Sequence, residues 1–360
     1  MSSSLPCKSQ FRFAKKTPLL TLPDSQAPAS APASAPSLRG NLVFRSDFES
    51  GNLGKVEEVV PQREYDLQIQ PDSHNHRYRV WFYFSISNVR KKQVVVLNIT
   101  NFSKGKSLYR EGMTPLVRST SRPHWQRMPS RNTFYYKCPR HNSYVLTFVF
   151  EFDLEEDVYY FAYCYPYTYT DLQRYLHSID SMQLPFYKRE LLCRTMQHRR
   201  IDMLIIGDDP RSQNEHGDNK RPPRNVVCIT ARVHPGETPA SYMCHGLIEL
   251  VISNDPIAKK LRKHITFIIV PMLNPDGVFL GNYRTAFCGL DLNRQVYVEW
   301  AGLWAVVAGR VFCLLCCGAS VFKVISAKLK LSKLKHRTHT YSTTNQRHGA
   351  CLKPTTSKNS

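Results

Sequence analysis

Between residues 78 and 163 the chain carries four runs of β-branched and aromatic residues: Tyr78–Ser87 (YRVWFYFSIS), Gln93–Thr100 (QVVVLNIT), Ser143–Phe152 (SYVLTFVFEF) and Val158–Tyr163 (VYYFAY). Such side chains fit a pleated, half-buried surface better than a helix, so each run predicts a strand. In the third run Tyr144, Leu146, Phe148 and Phe150 share one parity, and Val145 and Val149 share the other. A strand apolar on both faces must be covered on both. Clusters of Asn, Gly, Pro and Lys separate the runs. The expected fold for residues 41–165 is an antiparallel β-sandwich.

The flanking sequence sets the boundaries. Residues 27–37 read APASAPASAPS, which has nothing to bury, so residues 1–40 are expected to be a disordered basic, Pro-Ala-Ser-rich segment. Lys8, Arg12, Lys15 and Lys16 precede the first acid, Asp24, which also fits an organellar transit peptide, although Pro6 and Pro18 interrupt a long helix. A secretory signal is not expected, because residues 1–26 lack a continuous apolar core.

After Tyr165 the rhythm changes. Thr168 or Thr170 is placed to cap a helix through Asp171–Ile179, and Ile201–Ile206 reads as a strand. The polar stretch 207–224 reads as a loop, and Asn225–Val233 (NVVCITARV) as a buried strand. Thr238-Pro239 and Asp255-Pro256 are both cap-plus-proline helix starts. The first is followed by Ala240, Met243, Leu247 and Leu250 at helical spacing, the second by Ile257–His264 and the strand Ile265–Met272. Strands alternating with helices over 166–297 predict part of an α/β domain with a mixed sheet and flanking helices.

Residues 298–360 differ again. Residues 301–322 are apolar apart from Arg310 and Ser320, and Lys323–Arg337 is basic. A bilayer span would place Arg310 near its centre at a cost of about 2.5–3.5 kcal/mol. A palmitoylated anchor through Cys313, Cys316 and Cys317 is the second reading. The expectation preferred here is a tail that does not fold with the rest and makes no membrane contact. The whole chain has 49 Lys and Arg against 28 Asp and Glu, a net charge of +21. That balance favours polyanionic partners without naming one. Eleven scattered cysteines without a framework fit free thiols in a reducing compartment. There is no aromatic-basic RNA motif, and Cys313-x-x-Cys316 lacks a second pair, so no nucleic acid is expected as a partner.

Chemistry concentrates in four short motifs. His234-Pro235-Gly236-Glu237 lies where a buried strand ends and a helix begins. An imidazole nitrogen and a carboxylate oxygen on one turn suit a zinc ion, though alone such a turn is equally an ordinary strand end. Asn274-Pro275-Asp276-Gly277 follows the strand at 265–272 and reads alone as a tight turn. Gly281-Asn282-Tyr283-Arg284 and Gly289-Leu290-Asp291-Leu292-Asn293-Arg294 follow it. A guanidinium beside zinc would bind a terminal carboxylate or stabilise an oxyanion.

In this order the motifs, with LVFRSDFESGNL at 42–53 and FAYCYPYTYTDLQ at 161–173, give the chain its resemblance to the cytosolic carboxypeptidases, a branch of the M14 zinc carboxypeptidases. It looks most similar to the cytosolic carboxypeptidase 2 and 3 type over residues 41–294. The resemblance implies that His234 and Glu237 are zinc ligands and that Arg284 polarises the scissile carbonyl. It implies that Asn293 and Arg294 hold the substrate's C-terminal carboxylate, with Asp276 and Asp291 in support, behind the ligands or as turn residues. It implies cytosolic removal of glutamates from acidic protein tails, those of tubulin and other polyglutamylated proteins, with microtubules, centrioles or cilia as places of work. The family's third zinc ligand, a His, and its catalytic Glu have no match in this chain. His336, His339 and His348 lack the family's context, and no Asp or Glu follows Glu299. The chain therefore resembles a C-terminally truncated member. Two expectations follow: a zinc metallocarboxypeptidase, or a catalytically dead module that binds acidic tails.

Overall fold

The computed structural model describes residues 39–208 and 225–295, together with the strand backbones Val311–Cys316 and Ala327–Lys328. Readings made for residues 1–38, for 209–224 and for most of the tail fall outside the described residues.

The N-terminal part is built from two five-stranded sheets. One runs Val43–Arg45, Tyr83–Ser87, Tyr159–Ala162, Leu116–Ser119, Gln126–Arg127 in spatial order, and the other Lys55–Val60, Glu64–Gln68, Val94–Phe102, Ser143–Glu151, Thr133–Cys138. Rings fill the core: Phe84 lies 5.7 Å from Phe161, and Phe161 lies 5.1 Å from Phe150. Ring pairs at these separations add about 0.5–1.5 kcal/mol each beyond burial. Two expectations need correction. The sheets are not wholly antiparallel, because Glu64–Gln68 pairs in parallel with Val94–Phe102. Between these strands the chain contributes Tyr83–Ser87 to the other sheet and re-enters from the same end. The run expected to begin a strand at Tyr78 does so at Tyr83, and before it Arg79 O accepts the N–H of Ser103 and Phe82 O the N–H of Tyr163, each at 3.0 Å.

That second half begins with helix α1 (Tyr169–Asp180). Thr168 accepts the N–H of Asp171 at 3.0 Å, and the Asp171 carboxylate accepts the N–H of Thr168 at 2.9 Å. This reciprocal cap satisfies two otherwise unpaired donors. The sheet is mixed, in the order Tyr187–Arg194, Arg200–Ile206, Ile265–Val270, Asn225–Ala231, Val311–Cys316. Helices α2 (Pro239–Ile252) and α3 (Pro256–His264) start at the predicted prolines. Asp255 caps α3 through the N–H of Ile257, whereas Thr238 makes no cap bond.

The buried face of α2 consists of Ala240, Ser241, Cys244, Ile248 and Val251. Met243 and Leu250, which share the apolar spacing in the sequence, are 58% and 47% exposed. The helix carries two apolar stripes, and packing against the sheet selects the one built of smaller side chains. A further correction concerns the tail. Val311–Cys316 does not stand apart but pairs in parallel with Asn225–Ala231. Without it that strand would present a row of unpaired N–H and C=O groups, and a β-prone run of sequence covers the edge.

Strands Asn225–Ala231 and Ile265–Val270 are parallel neighbours, so their C-terminal ends deliver two loops side by side. Open α/β sheets characteristically use this end for ligands. Beneath the sheet, buried Asp202 accepts from Gln173 of α1 at 2.8 Å and from Arg189 and Arg200 at 3.1 and 3.0 Å. Burial alone would raise its pKa, but the two guanidiniums and Gln173 outweigh burial and hold it below the usual carboxylate range. A depressed folded-state pKa stabilises the fold above the unfolded value of about 4 and is lost as pH falls through the folded value. Asp202→Asn is therefore expected to lose roughly 2–3 kcal/mol at pH 7, read by urea denaturation. Its stability is also expected to fall less steeply than the parent's between about pH 5 and pH 2.

Candidate metal centre

The turn that carries His234 is held from three sides. Arg232 sits in the left-handed region at φ 56° and is 2% exposed. Its guanidinium donates to Pro235 O at 2.8 Å, Tyr167 O at 3.0 Å and Ser241 Oγ at 2.9 Å. Burial lowers its pKa to about 10, so it remains a cation at neutral pH. From the neighbouring loop, Asn274 donates to Val233 O at 3.2 Å and accepts the N–H of Gly277 at 3.0 Å. One amide thus caps the short helix α4 (Pro275–Phe279) and ties it to the His234 turn. On the third side Gly236 N donates to Tyr283 O at 2.7 Å. A Cβ on Gly236 would lie 2.4 Å from the Tyr283 ring, so this close approach requires glycine.

His234 is 4% exposed. Its Nε2 lies 3.1 Å from Asp291 Oδ1 and its Nδ1 lies 3.0 Å from Glu237 Oε1. The two contacts differ in kind. The first is an aligned hydrogen bond. The second is ion-pair distance without hydrogen-bond alignment, and Nδ1 is buried with no hydrogen-bond partner among the described residues. If Nε2–H donates to Asp291, Nδ1 keeps its lone pair and shares its side of the ring with the Glu237 carboxylate. A ring nitrogen and a carboxylate that converge without bonding each other, with a second carboxylate on the far nitrogen, form the donor set of a zinc-binding histidine. The residues present therefore fit zinc. Among the described residues, no group of three or more His, Cys, Asp or Glu side chains forms a complete metal site.

Asp291 has a second partner. Its Oδ2 accepts Arg284 Nε at 2.8 Å, so one carboxylate joins His234 to the arginine. Burial opposes ionisation of Asp291, but the bonds to Arg284 and His234 outweigh burial and lower its pKa. Arg284 also lies 5.8 Å from the centre of the Tyr78 ring. Asn293 and Arg294 stand on helix α5 (Leu292–Gln295), and their backbone N–H groups donate to Asp291 Oδ1 at 3.0 Å and Asp291 O at 2.9 Å. The Arg294 side chain is exposed.

The structure thus brings His234, Glu237, Arg284 and Asp291 together, with Asn293 and Arg294 adjoining. Asp276 points elsewhere: it accepts Thr195 Oγ1 at 2.7 Å, Gln197 N at 3.2 Å and Arg199 Nη1 at 2.8 Å, closing a hairpin. The sequence reading missed the bracing roles of Arg232 and Asn274. A charged residue at the end of an apolar strand was the available signal for Arg232.

Comparison with known proteins agrees with this geometry. The zinc carboxypeptidase model of the M14 peptidases matches residues 172–311, and the cytosolic carboxypeptidase N-terminal domain model matches residues 44–164. The chain belongs to the M14 zinc carboxypeptidase family. Its N-terminal match places it in the cytosolic branch. It is 53% identical over 258 residues to cytosolic carboxypeptidase 6 of Mus musculus, covering 71% of this chain and 46% of that protein. It is 40% identical to cytosolic carboxypeptidase 3 of Bos taurus, covering 71% of this chain and 26% of that protein. The expected likeness to the 2 and 3 type is therefore exceeded by type 6, because short turn motifs do not rank members of a branch as whole-length identity does. A metallo-carboxypeptidase from Pseudomonas aeruginosa, solved in complex with (2-guanidinoethylmercapto)succinic acid, superposes with a TM-score of 0.59 at 26% identity. The matched region covers 73% of this chain and 66% of that one. The chain spans about half or less of the length of these two curated relatives.

If Asp291 orients His234 for a metal, Asp291→Asn should lower zinc affinity by roughly 10- to 100-fold with the fold retained. Competition against a chromophoric chelator measures it, and unchanged affinity would remove the assignment.

Proposed function

We propose that this chain carries the zinc- and carboxylate-binding half of a cytosolic carboxypeptidase site that removes glutamates from acidic protein tails. The observation that carries this reading is the orientation of His234, with Asp291 on one ring nitrogen and Glu237 facing the other at 3.0 Å. His234 and Glu237 would hold the zinc, which when bound supplies Lewis-acid polarisation of the scissile carbonyl. Arg284, steadied by Asp291, presents a permanent positive charge to the oxygen of that carbonyl as negative charge develops there. Asn293 and Arg294, on the short helix that follows Asp291, take the free C-terminal carboxylate of the substrate and set which bond is presented. Hydrolysis adds the water oxygen to the carbonyl carbon, breaks the C–N bond and transfers a proton to the departing amine. The net charge of +21 favours acidic tails such as those of tubulin, and a cytosolic, microtubule-associated location follows from that substrate.

The second reading is an acidic-tail module that binds without cleaving, to which the net charge of +21 is equally suited. Metal analysis of the purified chain, with Glu237→Ala beside it, separates the cases. About one zinc per chain, lost in the variant, is the expected result, and a folded chain without zinc would sink both ligand assignments. Release of glutamate from a glutamate-tailed peptide then supports the enzyme. Retention of the intact peptide with zinc bound supports the binding module.

A further inference from the structure

Asp72 lies in the N-terminal sandwich, between strands Glu64–Gln68 and Tyr83–Ser87, and is 3% exposed. The partners of its carboxylate lie on the other half of the chain. Oδ1 accepts the N–H of Tyr283 at 2.6 Å. Oδ2 accepts the N–H of Arg284 at 2.8 Å, the N–H of Thr285 at 2.8 Å and the hydroxyl of Thr285 at 3.1 Å. Three successive amides converging on one carboxylate form an anion-binding nest, here occupied by a side chain some two hundred residues away in sequence. The middle amide belongs to the residue whose guanidinium reaches Asp291, which in turn bonds His234.

Neighbouring contacts fix the same segment. Asn282 Oδ1 accepts both the N–H and the hydroxyl of Ser73 at 3.1 Å, while its Nδ2 donates to Thr285 O at 3.0 Å. Asn52 Nδ2 donates to Gly281 O at 3.1 Å, and Asn75 Nδ2 donates to Gly289 O at 2.9 Å. Gly281 has φ 72°, and a Cβ there would lie 2.5 Å from Gly51 O. The loop from 281 to 289 is thus shaped by the sandwich as much as by its own sheet.

We infer that Asp72 is a positioning residue for Arg284: it fixes the backbone from which the guanidinium reaches the candidate metal centre, making the sandwich a working part of that centre. The inference rests on the role proposed for Arg284. The amide of an Asn at position 72 would keep the shape but turn a donor toward backbone donors, leaving at least one buried N–H unpaired.

The test uses the full chain. In Asp72→Asn, amide hydrogen exchange at 283–285 should quicken by about tenfold or more, the equivalent of one lost charge-assisted bond, while the sandwich strands keep their protection. Thr285→Val removes only the hydroxyl donor and should give a smaller change of the same kind, which decides the matter if Asp72→Asn does not fold. An oligoglutamate peptide supplies the second readout. Asp72→Asn should weaken its binding toward the level of Arg284→Ala, and the double variant should bind no more weakly than Arg284→Ala alone. Unchanged exchange at 283–285 in either variant, or losses that add in full, would overturn the inference. If Arg284→Ala leaves oligoglutamate binding unaltered, Arg284 acts only on charge that develops in the transition state, and the exchange data alone decide whether Asp72 braces the loop.

Discussion

One carboxylate organises the candidate centre. Asp291 holds His234 through one oxygen and Arg284 through the other, so the orientation of the imidazole and the reach of the guanidinium are set together. Neither residue could be placed as well alone. An imidazole without a partner on Nε2 would rotate and exchange tautomers, and an arginine of four rotatable bonds would sample solvent. Because the carboxylate stays ionised, it favours the tautomer that leaves Nδ1 open beside Glu237.

Support for that carboxylate comes from two directions. The mixed sheet delivers the His234 turn and the Asn274 turn from adjacent parallel strands, and Arg232 and Asn274 cross-brace them. The sandwich delivers loops 50–52 and 72–75, which grip residues 278–289 through Ser50, Asn52, Asp72, Ser73 and Asn75. The aromatic core gives those loops a rigid base: Trp81, 2% exposed, donates to Ser50 O at 2.8 Å. Packing inside one layer of the molecule therefore reaches the chemistry of the other through backbone amides rather than through substrate-facing groups.

Much of the architecture was legible because its signals are local. Thr168 with Asp171 and Asp255 with Pro256 announce helix starts through bonds made within one turn, and Pro239 does so through its fixed φ. The strands of the sandwich announce themselves by parity and composition. The buried face of α2 was not legible, since Met243 and Leu250 fit a helical stripe as well as Cys244 and Ile248 do. The parallel pairing of Glu64–Gln68 with Val94–Phe102 was hidden for a similar reason: it depends on which sheet the intervening strand joins. Asp276 shows that a residue inside a site motif can serve a turn, since its bonds go to a hairpin.

By itself the sequence determined the kinds of donor available and their order along the chain: an imidazole and a carboxylate on one turn, then Arg284, then Asp291 with Asn293 and Arg294. Spacing within a turn constrains side chains a few residues apart, which is why the pair His234 and Glu237 could be read directly. Tertiary structure alone decided that Asp291 would join His234 to Arg284 across 57 and 7 residues of chain. It alone decided that Asp72 would hold the backbone of Arg284 across 212 residues. Contacts at such separations depend on where whole strands and loops come to rest, and no local periodicity encodes that.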